Sequence, residues 1–288
     1  MISEDKIRRV IEEVMGGLLT SRNGSAMNPP APVRDEDLAD ITTIDMRKEL
    51  LVPQPVNREM YLKLKEATPA RVGIWRSGPR PLTRTLLRFR ADHAVAQDAV
   101  FSDVSEAFLQ EMGLETIQSC CRDKDEFITR PDLGRKLDET AATRLQQICK
   151  ANPKVLIYVA DGLSSTAVEA NAKDTLLSIV QGLGVYGIET GTPFFLKYGR
   201  VPSMDAVSEL LKPEVTVLLI GERPGLATGE SMSCYMAYKA TANMPEARRT
   251  VISNIHNGGT RAVEAGAHIA EVVKKMLDQK ASGLDLKL

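Results

Sequence analysis

The chain has 288 residues, enough for one large or two medium domains with a sizeable core. Its 37 Lys and Arg against 38 Asp and Glu leave a net charge of -1, with a pI near 6.4, which argues against a general phosphate-backbone binder, whose surface would be clearly basic. The four cysteines, Cys120, Cys121, Cys149 and Cys234, show neither C-x-x-C metal spacing nor a secreted disulfide framework, and neither a bilayer-spanning apolar run nor a signal peptide is visible, so a soluble intracellular protein with no nucleic-acid or membrane partner is expected.

Ile7, Val10, Ile11, Val14, Met15 and Leu18 fall at helical spacing opposite Glu4, Lys6, Arg8, Arg9, Glu12 and Glu13, with Ser3 as N-cap; this predicts an amphipathic helix over residues 1–19. A helix of about four turns is marginal alone in water, so its apolar stripe implies a surface to dock on, either a partner's or the chain's own. Gly16-Gly17 weakens its end, and residues 20–57, which include Asn28-Pro-Pro-Ala-Pro32, read as a flexible linker that leaves the helix tethered.

Residues 58–146 read as a mainly helical domain, with Arg71-Val-Gly-Ile-Trp75 as a candidate strand and Leu133–Lys150 as an amphipathic helix opened near Pro131-Asp132. Arg71, Arg76, Arg80, Arg84, Arg88 and Arg90 make the densest basic stretch. It suits a phosphate clamp, pairing with acids on a partner subunit, or a solvated face; the planar fork of Arg favours an interface.

Residues 147–288 alternate strands and helices. Val155–Ala160 is a predicted strand, Ser165–Leu183 a helix, Thr192–Tyr198 a strand, and Ser203–Leu211 a short helix capped by Ser203. Val215–Ile220 and Thr250–Ile255 follow as strands, and Val263–Gln279 closes the chain as a helix. This is the grammar of an α/β fold with a Rossmann-like, doubly wound, mostly parallel sheet. In such sheets ligands bind past the carboxyl ends of the strands. Four polar turns fall there: Asp161-Gly-Leu-Ser-Ser165, Tyr198-Gly-Arg-Val-Pro202, Gly221-Glu-Arg-Pro-Gly225 and Ser253-Asn-Ile-His-Asn-Gly-Gly259. The first could offer backbone N–H groups and a helix N-terminus to a phosphate, although ordinary turn and capping chemistry accounts for it equally.

The chemistry-bearing residues form no self-sufficient catalytic set. G-x-G-x-x-G is absent from the plausible strand-to-helix turns, as is the phosphate loop G-x-x-x-x-G-K-[ST]. Ser164, Ser233 and Cys234 have no base at recognisable spacing. None of the three histidines, His93, His256 and His268, has Asp two positions before it, so the D-x-H element of a histidine-ligating cobalamin motif is missing and no metal site is expected. A stand-alone nucleotide- or methyl-donor-dependent enzyme, with Asp161 and Glu222 holding hydroxyls, and a noncatalytic scaffold both remain open on residues alone.

Read together, Arg76-Ser-Gly-Pro-Arg80, Leu86-Leu-Arg-Phe-Arg-Ala-Asp-His93, Thr129-Arg-Pro-Asp-Leu-Gly-Arg135, Asp161-Gly-Leu-Ser164, Thr192-Pro-Phe-Phe195, Tyr198-Gly-Arg-Val201, Gly221-Glu-Arg-Pro-Gly-Leu226 and Ile252-Ser-Asn-Ile-His256 resemble the small (light) subunit of ethanolamine ammonia-lyase, from about Ala70 to the C-terminus. The resemblance implies a complex with a large catalytic subunit that converts ethanolamine to acetaldehyde and ammonia with adenosylcobalamin, held base-on and shared between the subunits. It places cofactor contacts at Val201, Glu222 and Val251, no catalytic residue on this chain, and an N-terminal helix like those that direct enzymes into bacterial microcompartments through shell or cargo proteins.

Overall fold

The computed structural model describes residues 39–242 and 244–287. The expected helix over residues 1–19, and the linker as far as residue 38, lie outside the described residues. The chain divides into two compact units between Ile44 and Asp45. In the first, the described residues hold one 3-10 turn, Ile41–Thr43, whose N-cap Asp40 accepts from the Thr42 N–H.

The second unit begins with helix α1 (Arg58–Glu66), capped by Asn57 through the Met60 N–H. The expected strand at Arg71–Trp75 is instead a turn. Gly73 stands at φ +67, a left-handed conformation that glycine tolerates, and a Cβ there would lie 2.8 Å from Leu50 Cδ1. The Leu51 N–H donates to the Gly73 carbonyl, so the apolar segment wraps around Leu50 rather than extending into a sheet. A small hairpin follows, β1 (Arg76–Ser77) with β2 (Arg80–Pro81), and then the long helix α2 (Thr83–Phe101).

The remaining elements are α3 (Glu106–Met112), β3 (Glu115–Gln118), α4 (Lys124–Thr129), α5 (Glu139–Ile148), β4 (Val155–Ala160), α6 (Ser165–Val185), β5 (Phe194–Lys197), α7 (Ser203–Leu211), β6 (Val215–Gly221), β7 (Met232–Tyr238), β8 (Thr250–Ile255) and α8 (Ala262–Gln279). Six strands form one sheet in the order β3-β5-β4-β6-β7-β8. β3, β5, β4 and β6 pair in parallel, whereas β7 is antiparallel to both of its neighbours, so β8 points the same way as β6. The fold is α/β with a mixed sheet.

Every residue of β4 and β6 is buried, as expected for strands covered on both faces. Val155, Ile157, Val159, Val215, Val217 and Leu219 pack with Ile179 and Leu183 of α6 and Ile269 and Val273 of α8. The alternate residues Leu156, Tyr158 and Leu218 pack with Leu145 of α5 and Val207 and Leu211 of α7. Each aliphatic side chain buried this way contributes roughly 1.5–3 kcal/mol, which fixes the register of the central strands and hence of the turns at their ends.

Two local expectations are corrected. Leu133–Lys150 is not one helix: a 3-10 turn (Leu133–Arg135) ends at extended Lys136, and α5 restarts from Asp138, which accepts from the Ala141 N–H. The break is held from outside, because the Arg200 N–H takes the Gly134 carbonyl that a continuing helix would use. Ser203 is the first helical residue of α7 and not its cap; Pro202 holds that position, and Ser203 Oγ instead meets the Tyr158 hydroxyl at 2.8 Å in the core. One further sequence pattern, Gly182-Leu-Gly-Val-Tyr-Gly187, has dinucleotide-loop spacing, but Gly182, Gly184 and Val185 all belong to the last turns of α6, where Gly182 allows close approach of Ala270 on α8.

Candidate functional site

β4, β5, β6 and β8 share a direction, so the turns after Ala160, Lys197, Gly221 and Ile255 line one edge of the sheet. This is the edge at which α/β sheets bind ligands. Two of the turns are locked together. The Leu163 N–H donates to the Gly221 carbonyl, Gly162 stands at φ +56 against Gly221, and a Cβ on Gly221 would fall onto the Ser164 carbonyl and lie 2.6 Å from that of Asp161. Glycine at both positions is what lets the ends of β4 and β6 close onto each other.

The start of α6 is filled rather than open. Ser164 Oγ caps the Ala167 N–H at 3.1 Å and donates to the Gly229 carbonyl at 2.5 Å, and Ser164 and Ser165 are buried. The expectation that this turn offers a helix N-terminus to a phosphate therefore does not hold; the β6–β7 loop covers it. Asp161 is also interior. Its Oδ1 accepts from the N–H groups of Gly162 and Gly199, while Oδ2 has no hydrogen-bond donor and lies 3.7 Å from Lys124 Nζ. Burial pushes the Asp161 carboxyl up to about 6, against the pull of Lys124 and the backbone donors.

Glu222 occupies the first position beyond β6, half-buried. Its backbone N–H donates to the Ser231 carbonyl, and its carboxylate gathers three donors: Ser231 Oγ at 3.0 Å, Ser233 Oγ, and the Asn254 N–H at 3.3 Å. Asn254 is a left-handed residue, φ +63, at the penultimate position of β8. The Asn254 N–H and the Ser233 hydroxyl come from different strands, so Glu222 ties the ends of β6, β7 and β8 together. In the turn after β8 the Gly258 N–H donates to His256 Nδ1, which leaves Nε2–H to face Asn254 Oδ1 at 2.7 Å. His256 here closes the turn.

Val251 pairs with Tyr235 of β7, and Tyr235 pairs with Leu218 of β6, so Val251 shares the α5/α7 side of the sheet. It is 43% exposed, an apolar surface on an edge strand. Burial first, and then the charges of Glu222 and Glu246, push the Tyr235 hydroxyl up. Val201 packs partly buried against the same side of the sheet, in the turn before α7. Val251 therefore lies beside Tyr235, and Val201 packs on the same face. Sequence reasoning missed the residues that hold this arrangement, Ser231, Ser233, Asn254, Asp205 and Arg249, because each acts on a partner distant in the chain.

The Arg-rich stretch divides by role. Arg71 Nη2 and Arg88 Nε both bind buried Asp92, at 2.6 and 2.9 Å, and Arg71 also donates to the Leu226 carbonyl in the β6–β7 loop at 3.0 Å. Arg84 pairs with Glu49. Through Arg71, held by Asp92, α2 braces the loop that carries Glu222. Among the described residues, no group of three or more His, Cys, Asp or Glu could hold a metal ion, and no helix is long and apolar enough to cross a membrane.

The sequence model of the ethanolamine ammonia-lyase light chain matches residues 58–287. Proteins named ethanolamine ammonia-lyase small subunit are similar over their full length: one from Clostridium tetani is 57% identical, with 100% of both chains covered. One from Listeria innocua is 52% identical over 99% of this chain and 100% of its own, and one from Fusobacterium nucleatum is 52% identical with 100% of both covered. The chain belongs to the ethanolamine ammonia-lyase small-subunit family, and is thus a component of a lyase complex.

Proposed function

We propose that this chain binds adenosylcobalamin at an interface with a large catalytic subunit, and that the complex converts ethanolamine to acetaldehyde and ammonia. The observation that carries the proposal is Glu222, a half-buried carboxylate on the sheet's ligand edge with the exposed apolar side chain of Val251 nearby. A carboxylate offers about four lone-pair sites, and the three protein donors at Glu222 leave one for a ligand N–H or O–H. A donor-bearing, otherwise apolar ligand periphery suits that combination, and corrin amide side chains supply such donors. Val201 and Val251 would pack against the ring periphery or the benzimidazole, with Glu222 accepting from an amide or a ribose hydroxyl. Base-on binding needs no histidine from this chain.

When bound, adenosylcobalamin supplies a cleavable cobalt–carbon bond and with it the radical that the rearrangement uses. This chain's part is to bind, orient and exclude water. In this scheme residues 147–288 form a Rossmann-like cover for the cofactor, and residues 58–146 a mainly helical neighbour that contributes β3 to its sheet. Residues 1–19 form a tethered targeting helix, joined by the 20–57 linker, that brings the complex to shell or cargo proteins of a bacterial microcompartment.

The test is Glu222→Ala in the assembled complex. Cobalamin affinity, read from the absorption titration, is expected to fall about tenfold, the loss of one good hydrogen bond to a charged acceptor, with the ethanolamine KM unchanged. Unaltered cobalamin affinity removes Glu222 from the site. For the targeting helix, deletion of residues 1–19 is expected to abolish co-localisation with shell proteins and leave lyase activity intact.

A further inference from the structure

We infer that the outward face of α2, with the β1–β2 hairpin beside it, is the docking surface for the large subunit of the complex; the inference rests on the proposed two-subunit function. α2 runs for 19 residues, yet only Thr85, Asp92 and Ala99 are buried on it. Leu86, Arg90, His93, Gln97 and Phe101, spaced by three or four residues, form one exposed stripe with Leu87 at its flank. Leu87 is 53% exposed and Phe101 56%, and Trp75, entering the hairpin, is 42% exposed. Exposed apolar side chains at both ends of the stripe, with Arg90 and His93 between them, make a mixed surface of the kind found at protein interfaces.

The charge on this face says which kind. Between residues 71 and 101 the acids are Asp92, which Arg71 and Arg88 neutralise in the interior, and the exposed Asp98. Arg76, Arg80 and Arg90 are exposed and have no carboxylate partner among the described residues. An isologous contact with a second copy would set the three exposed, unpaired Arg of each copy against a single exposed acid of this stretch, Asp98. An occupant with apolar side chains and its own carboxylates satisfies both halves of the face, since bidentate Arg–carboxylate pairs need a planar acceptor.

The buried side of the same helix packs on the loop of the candidate cofactor site. Arg71 joins Asp92 of α2 to the Leu226 carbonyl of the β6–β7 loop, and the Cβ of Ala99 on α2 lies 3.3 Å from where a Cβ on Gly229 of that loop would stand. A subunit docked on the outward face therefore bears on the helix that holds the loop carrying Glu222.

The experiment co-expresses the full chain with the large subunit and measures complex formation by co-purification and by titration of the separated subunits. Leu87→Glu and Arg90→Glu, both at exposed positions, are expected to keep the circular dichroism and Tm of the isolated chain. Each should weaken the complex by about tenfold or more, as central interface residues do, whereas Val185→Glu, at an 84% exposed position on α6, should leave it unchanged. If the wild-type chain forms a complex and both variants bind as tightly as it does, the face is not the interface and the inference falls. If the wild type forms no complex, the two-subunit function itself fails. Restored tight binding of Arg90→Glu on deleting residues 1–38 would make the chain's own N-terminal segment the occupant and overturn the inference. Salt-sensitive binding of the wild type, but not of Arg90→Glu, to RNA or anionic vesicles without the large subunit would likewise overturn it.

Discussion

Arg249 Nη2 donates to Asp205 Oδ1 at 2.7 Å, with the guanidinium only 1% exposed. Arg249 stands just before β8, two residues from Val251, and Asp205 lies in α7, four residues from Val201. One buried ion pair thus couples the two apolar members of the candidate site, which lie far apart in the sequence. Burial raises the Asp205 carboxyl while Arg249 opposes the rise, so the pair is a coupled unit and not two independent charges.

Arg249→Ala is expected to cost about 3–5 kcal/mol, because it leaves Asp205 as a largely buried acid without its cation. The double variant with Asp205→Ala should cost clearly less than the sum of the two single changes. Urea denaturation of the three variants closes the cycle; strict additivity would show that the pair contributes nothing as a pair.

The locked turns predict a sharp contrast between neighbouring glycines. Gly221→Ala drives a methyl into the Ser164 and Asp161 carbonyls, backbone atoms that cannot turn aside, and should destabilise by about 3 kcal/mol or more. In the same loop, a Cβ on Gly225 would meet nothing closer than 4.0 Å, and Gly225→Ala should stay within about 0.5 kcal/mol of the wild type. Thermal unfolding of both variants decides it.

Asp161 makes a pH-dependent contribution of defined sign. Its carboxyl titrates near 6 in the folded chain, above its ordinary value of 3.8, so the folded state holds the proton more tightly than the unfolded one. The stability associated with this proton is fully present below pH 4 and is lost as pH rises through about 6, amounting to about 3 kcal/mol. The stability of the wild type relative to Asp161→Asn should therefore fall by an amount of that order between pH 4 and pH 7. Parallel pH profiles of the two proteins would show that the interior carboxyl is not shifted.

At Glu222 the order of variants separates shape from charge. Glu222→Gln keeps one oxygen for the Asn254 N–H, and a serine hydroxyl can turn to accept from the new amide, so a stability loss within about 1 kcal/mol is expected. Glu222→Ala leaves three donors without their acceptor and should cost about 1–3 kcal/mol. Equal losses in both variants would mean that the three-donor bracket does not hold the strand ends.

Much of the framework was legible locally. β4 and β6 are runs of apolar residues buried on both faces, and such runs read as central strands without any knowledge of their neighbours. α7 and α8 carry apolar residues at helical spacing and appear close to where that spacing puts them. β3 and β7 were not visible. β3 exposes three of its four residues and has no apolar alternation to detect, and β7 is built mainly from Met, Ser, Cys, Ala and Tyr, with no β-branched residue among its seven. β7 is a strand because β6 and β8 supply hydrogen-bond partners on either side.

The sequence by itself determined the α/β class, the central parallel strands, the edge on which the polar turns fall and the family to which the chain is similar, all of which depend on patterns within short segments. Only the tertiary structure decided that β7 reverses between β6 and β8, that Gly162 and Gly221 close two turns onto each other, and that Glu222 is held by Ser231, Ser233 and Asn254. Those outcomes depend on distances between residues of different elements, from nine positions apart (Glu222 and Ser231) to 32 (Glu222 and Asn254) around Glu222 alone. They are set by how the buried faces of the sheet pack, and no local spacing encodes them.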